Sequence, residues 1–333
     1  MQIGLTRVDF MFEFRKIQRT PTGTFFICLP RPWAEQQGLK KGNLMALKET
    51  TDGQLLLNPK HQTESIPKST SLNAGPLLKR DIIGRYLLGF DIISIKAKER
   101  VDFDIRTAVK STTSSLVGLE IVEENYSQIV LQCLLEPSSF PPEKILCRNY
   151  AIVAGMSKDI VNAFIHGDLQ LAKSVAARDI ESNRLYFLLV RILRTVIQNP
   201  SLSEKLGVSP IECLDYRLAA NLIEGMGDAS VRIAAKVLEL NGAKPNENLG
   251  KLFLDLQAIC YKSHENALKA FLAKDVVLAE NVRGAQIGIE TKSAAIENLA
   301  KGTLLDSISQ VIAVVSLLRQ IYENSVDLAD LVA

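Results

Sequence analysis

Few of the residue types that do chemistry occur in this chain of 333 residues, and those that do occur are scattered. The five cysteines (Cys28, Cys133, Cys147, Cys213, Cys260) never fall in a C-x-x-C spacing. That pattern excludes a sequence-local zinc site or disulfide framework and predicts reduced thiols. Three histidines, His61, His166 and His264, lie far apart. No Ser, Cys, His and Asp set suggests a nucleophile with its base, so no catalytic residues and no enzyme activity are expected. No apolar run reaches the roughly 20 residues that cross a bilayer; residues 311–318 are typical of the longest. The start, MQIGLTRVDFMFEFRK, lacks the apolar core and small-residue cleavage site of a signal peptide. A soluble, cytoplasmic protein without membrane insertion is expected. Gly225-x-Gly227 sits inside a helical pattern rather than after a strand, which excludes a nucleotide fingerprint and suggests close helix packing instead.

What is present is an ordinary globular balance, with 47% hydrophobic and 23% charged residues. The net charge of +2 identifies no partner, but its distribution is uneven. Between Met1 and Lys48, eight Lys/Arg face three acids, leaving the remainder mildly acidic. A basic head on an acidic body fits a nucleic-acid module carried by something else, or equally a solvated face on a small domain.

Three regions follow along the chain. In residues 1–59, two β-prone runs (15–20 and 24–29) flank the Pro21-Thr22-Gly23 turn. Residues 31–37 read as a short helix with Pro32 in its first turn and Gly38 at its end. A second strand pair, 44–49 and 54–57, surrounds Asp52-Gly53. So small a unit must complete its core by dimerising or packing on a neighbour, with Trp33 as its anchor. Residues 60–76 read as a polar linker. Residues 77–136 read as a small α/β insert, with helices at 77–88 and 102–118 and strands at 91–96 and within 119–135. From 143 onward, apolar residues recur every three or four positions through six segments, at about 143–166, 168–198, 209–241, 247–273, 275–301 and 304–331. Short breaks between them predict an antiparallel bundle. Leu171–Val175 parallels Leu278–Val282, and Leu222–Ala234 parallels Leu317–Ala329, which suggests a duplicated three-helix unit. The fold class is therefore multidomain α+β.

RKIQRTPTGTFFICLPRPWAEQQGLKKGNLMALKETTDGQLLL resembles the SpoVT/AbrB swapped-hairpin domain in its basic first strand, its strand ending in Leu-Pro, its Trp-Ala helix and its Gly-Leu-Lys-Lys-Gly turn. ESNRLYFLLVRIL and LIEGMGDASVRIA resemble PhoU, a phosphate-signalling regulator of two three-helix repeats. The combined order resembles archaeal phosphate uptake regulators. The first resemblance implies a homodimer that sets Arg15, Lys16, Arg19, Arg31, Lys40 and Lys41 against duplex DNA. Strand alternation would put Arg15 and Arg19 on one face and Lys16 on the other. The second implies an (E/D)-x-x-x-D signature whose carboxylates hold a divalent or iron cation. Here that pattern is Glu224 with Asp228, opposite Asp179 with Asn183; in the second repeat it degrades to Gln286 with Glu290 and Arg319 with Glu323. A polar cluster without metal is the preferred reading, with Arg184, Arg191 and Arg217 as candidate ion-pair partners. The expected function is a DNA-binding regulator of phosphate homeostasis. The alternatives are an adaptor for a phosphate transporter or signalling protein that uses its head only to dimerise, and a metal-binding bundle.

Overall fold

The computed structural model describes residues 13–49, 53–59, 67–302 and 308–332. The chain divides into two compact units, Met1–Ile66 and Pro67–Ala333. In the first, β1 (Gln18–Arg19) and β2 (Phe25–Phe26) pair antiparallel around a turn in which Gly23 adopts a φ of 97°. The helix α1 (Arg31–Gln36) starts with Pro32 in its first turn and exits through Gly38 at φ 67°. A second antiparallel ladder joins β3 (Ala46–Glu49) to β4 (Leu55–Asn58). The β1–β2 ladder is shorter than the β-prone runs predict, so Arg15 and Lys16 precede the strand and the alternation argument does not reach them. Residues 1–12, Asp52 of the expected turn, and residues 60–66 of the expected linker lie outside the described residues.

The second unit opens with an element the sequence reading assigned to the linker. Ser69–Asn73 forms β5, an edge strand parallel to β6 (Ile92–Lys96). Only Leu72 of its five side chains is buried, so the segment lacks the apolar alternation that marks a strand. β7 (Leu119–Glu124) and β8 (Gln128–Cys133) complete a sheet of order β5-β6-β8-β7, the β8 pairings being antiparallel. Helices α2 (Leu78–Leu87) and α3 (Phe103–Ser114) accompany it. Ile82, Tyr86, Ile93, Ile95, Ile129 and Leu131 form its fully buried centre.

The bundle begins at α4 (Pro142–His166), followed by α5 (Leu169–Gln198), the short α6 (Pro200–Leu206) and α7 (Pro210–Glu239). A second set comprises α8 (Glu247–Ala273), α9 (Val276–Gly284), α10 (Gln286–Gly302) and α11 (Ile308–Ala329). The single segment expected over 275–301 is thus broken at Ala285, and α6 is an addition. The start expected for the last helix falls among residues 303–307, outside the described residues. The two sets repeat one another in detail. α4 and α8 both end in left-handed residues, Gly167 and Lys274, and Asp168 and Asp275 then cap the next helices. Ala172 and Val175 are buried in α5, as are their counterparts Ala279 and Val282 in α9. In α7 the Ser230 hydroxyl donates to Met226 O at 2.9 Å, and in α11 Ser325 donates to Ile321 O at 2.8 Å. The glycine pair packs closely: a Cβ at Gly225 would come within 2.8 Å of Asn324 on α11, and one at Gly227 within 3.3 Å of Val153 on α4.

Candidate functional site

Of the basic head, Arg15, Lys16, Arg19, Arg31, Lys40 and Lys41 are exposed. Arg15 pairs with Glu13, and Arg31 Nε donates to Glu35 Oε1 at 2.7 Å one helical turn away. Arg19 reaches back across its turn toward Gly23 O and lies 5.3 Å from the centre of the Phe25 ring. Lys40 is held by its backbone N–H, which donates to Asn43 Oδ1 at 2.6 Å. The ion pairs are solvent-exposed, and such pairs contribute about 0–1 kcal/mol, which a phosphate can displace.

Among its described residues the same unit has no core of its own: no side chain is buried, and Trp33, expected as an anchor, is half-buried. Phe14, Ile17, Phe25, Ile27, Leu44 and Leu55 are among its widely exposed apolar side chains. Leu47 faces Leu57 across the β3–β4 ladder and Lys48 faces Leu56. Since successive residues alternate faces, both faces of this hairpin carry leucine.

In the bundle, α5 and α7 bring together the acids expected from the (E/D)-x-x-x-D pattern. Burial, then the nearby Asp228 charge, raises the Asp179 carboxyl above its usual range, and the Asn183 amide, donating to Asp179 Oδ2 at 2.7 Å, opposes this. Glu224 is raised by burial, then by Asp228 and Asp179, with Arg217 opposing. Among the described residues no three His, Cys, Asp or Glu side chains are grouped so as to hold a metal ion. One Asp179 oxygen already accepts from the Asn183 amide. The matching place in the second repeat carries the same kind of pair, Gln286 Nε2 donating to Glu290 Oε1 at 2.8 Å. These two, with Arg319 and Glu323, line one shallow pocket.

The three arginines proposed as partners for the acids separate. Arg217 stays beside Glu224, its guanidinium 4.9 Å from the Tyr186 ring centre. Arg191 leaves the acids and enters the α/β insert, where it donates to Tyr86 O (2.7 Å), Phe90 O (2.8 Å) and Asp91 Oδ1 (3.0 Å). Arg184 also turns toward the insert, close enough for its charge to act on Tyr86. Helical geometry explains the error. Positions seven apart, such as 184 and 191, share a face, and that face meets the insert. Cys213 and Cys260 are buried, and burial pushes their thiols up to about 11 and about 12, as inert core residues require. His264 is buried against Tyr150 and Tyr261 and shares a 2.9 Å hydrogen bond with the Tyr150 hydroxyl. Among the described residues no helix is long and apolar enough to cross a membrane.

Known proteins resemble the helical region. Residues 146–237 match the family model of the PhoU domain. The crystal structure of PhoU from Pseudomonas aeruginosa is similar at 18% identity and a TM-score of 0.51, over 57% of this chain and 93% of that one. PhoU from Streptococcus pneumoniae, a phosphate transport system regulatory protein, is similar at 17% identity and a TM-score of 0.48, over 57% and 91%. No curated protein matches the sequence. The helical region is thus PhoU-like in fold.

Proposed function

We propose that the chain is a dimeric DNA-binding regulator of phosphate uptake. Its N-terminal heads join two copies and contact duplex DNA, and its PhoU-like body receives the signal or docks the partner. The observation that carries the reading is the head itself. Arg15, Lys16, Arg19, Arg31, Lys40 and Lys41 are exposed on a unit whose described residues include no buried side chain. Burying the exposed leucines and phenylalanines is worth about 1.5–3 kcal/mol each. Interleaving with a second copy supplies that burial and doubles the cations. The link to phosphate rests on the PhoU match over residues 146–237. The acids Asp179, Glu224 and Asp228 serve in this reading as a polar contact between helices and hold no cation.

The test is fluorescence anisotropy with duplex DNA over a salt series. Twelve cations per dimer predict a steep loss of affinity, on the order of 10³-fold or more between 50 and 200 mM salt. Arg15→Ala combined with Arg19→Ala removes four of them and lowers the log–log slope by about four. A dimer that binds no DNA even at low salt overturns the proposal. That result leaves the second reading, an adaptor docking on a phosphate transporter or signalling protein, which the Arg15–Glu13 and Arg31–Glu35 pairs favour because they lower the free positive charge.

A further inference from the structure

We infer that the junction between the α/β insert and the bundle is a binding site for a small organic anion, an oxyanion group carried on an apolar body. A cavity of about 340 Å³ opens there, the size of small-molecule sites. Its charged wall comes from two helices. Lys144 and Arg148 stand one turn apart on α4, and Arg184 and Glu181 lie on α5. Three cations against one acid leave an excess of two positive charges. Like charges four residues apart on a helix repel each other by a few tenths of a kcal/mol, a cost that an anion between them removes. Its apolar wall is made by Val117, Phe140, Ile145, Leu185 and Leu188. Val117 is fixed in place by the Tyr86 hydroxyl, which donates to its carbonyl at 2.9 Å.

Arg184 separates this cavity from an ordinary solvated groove. Arg191, two turns further along the same helix face, donates three hydrogen bonds to the insert. Arg184 has no ion-pair or hydrogen-bond partner among the described residues, and its Nε is buried without an acceptor. A buried guanidinium N–H without an acceptor is costly, and a planar fork of this kind matches phosphate or carboxylate oxygens two at a time. Glu181 spans the helices to Arg148 at 2.9 Å, an exposed pair that an incoming anion can displace. The ligand would therefore seat its oxyanion on Arg184 and Arg148 and its body against Phe140 and Leu188. It would contact insert, linker and bundle together.

Calorimetric titration of the full-length protein tests this with four probes: adenosine monophosphate, benzoate, inorganic phosphate and neutral adenosine. Saturable binding of adenosine monophosphate or benzoate is expected, and which of the two binds tells a phosphate ester from a carboxylate. Inorganic phosphate should bind at least tenfold more weakly because it leaves the apolar wall bare, and adenosine should not bind. Arg184→Met should weaken binding tenfold or more. Arg148→Ala and Lys144→Ala, at exposed positions that truncation leaves foldable, should each weaken it severalfold, and Glu181→Gln should tighten it. Arg15→Ala with Arg19→Ala should leave it unchanged, which separates this site from the head. The inference is overturned if neither organic anion binds. It is also overturned if the Arg148 and Lys144 variants bind as the parent does, or if inorganic phosphate binds as tightly as the organic anion that binds.

Discussion

Replacing Arg191 with Ala removes a guanidinium that is 4% exposed and joins three acceptors at the insert, the carbonyls of Tyr86 and Phe90 and the Asp91 carboxylate. The Tyr86 ring also lies beneath it, 5.0 Å away. Truncation leaves the Tyr86 carbonyl buried without this donor and a carboxylate without its cation. Breaking a buried, hydrogen-bonded pair costs about 3–5 kcal/mol, and because the Asp91 side chain is 41% exposed the loss here falls at the lower end of that range. In a unit of this size each kcal/mol moves the melting temperature by about 2–4 °C, so thermal unfolding followed by circular dichroism should show a fall of about 10 °C. Arg191→Lys keeps the charge but cannot fork across three acceptors and should recover only part of the loss. Arg194→Ala is the control: its one bond to the insert, to Leu87 O, is 3.3 Å long and exposed, and its loss should cost about 0.5 kcal/mol or less. If Arg191→Ala melts within 2 °C of the parent, the insert is not held to α5 through this residue, and the reasoning fails.

Burial depresses the His264 imidazole to about 4, with Glu265 opposing. The unfolded chain therefore binds the extra proton first. Stability should fall as pH drops below about 6.5 and level off below about 4, a loss of about 3 kcal/mol. His264→Gln should flatten that part of the urea-unfolding profile, and an unchanged slope would refute the assignment. Gly167→Ala and Gly207→Ala place a side chain at nearly the same φ, 67° and 64°. At Gly207 the new Cβ meets nothing within 4 Å, whereas at Gly167 it comes within 2.5 Å of Gly242 O. Gly207→Ala should cost about 1 kcal/mol and Gly167→Ala clearly more, and equal melting temperatures would contradict the packing. Asp179→Asn should raise the melting temperature at neutral pH, since its carboxyl is raised by burial and by Asp228. The gain should fade as pH falls through the raised value, where the native carboxyl is already protonated. A fall in melting temperature on substitution, or on adding a chelator to the parent, would instead reveal a held cation.

The helices were legible because each carries its own punctuation. Gly167-Asp168 and Lys274-Asp275 each supply a left-handed exit and a capping carboxylate, and Ser209 with Glu212 closes a capping box at the start of α7. The break at Ala285 was not legible. Gln286 and Ile287 continue the helical pattern without a proline or a capping side chain, so only tertiary context decides it. β5 was missed for the converse reason. Its backbone pairs with β6 along its whole length, but its sequence, STSLN, offers one core residue and four polar ones. An edge strand of that composition is specified by its neighbour, and a reading of local periodicity assigns it to the linker.

The candidate sites divide along the same physical line. The acids Asp179, Glu224 and Asp228, which the resemblance to PhoU singled out, do come close together, since a spacing of four fixes a shared helix face. Of the arginines only Arg217 stays with the acids, because a side chain that can extend over several ångströms reaches whichever acceptor its face meets. Arg191 and Arg184 have the same spacing argument as each other, yet one ends with three acceptors and the other with none among the described residues. What separates them is the insert, whose α2 carbonyl end meets Arg191 while the cavity lies beside Arg184. Lys144 and Arg148 carry even less local signal, since two cations one turn apart on α4 read as a solvated surface. They acquire chemical meaning only beside the apolar wall to which Val117, distant in sequence, and the nearby Phe140 contribute.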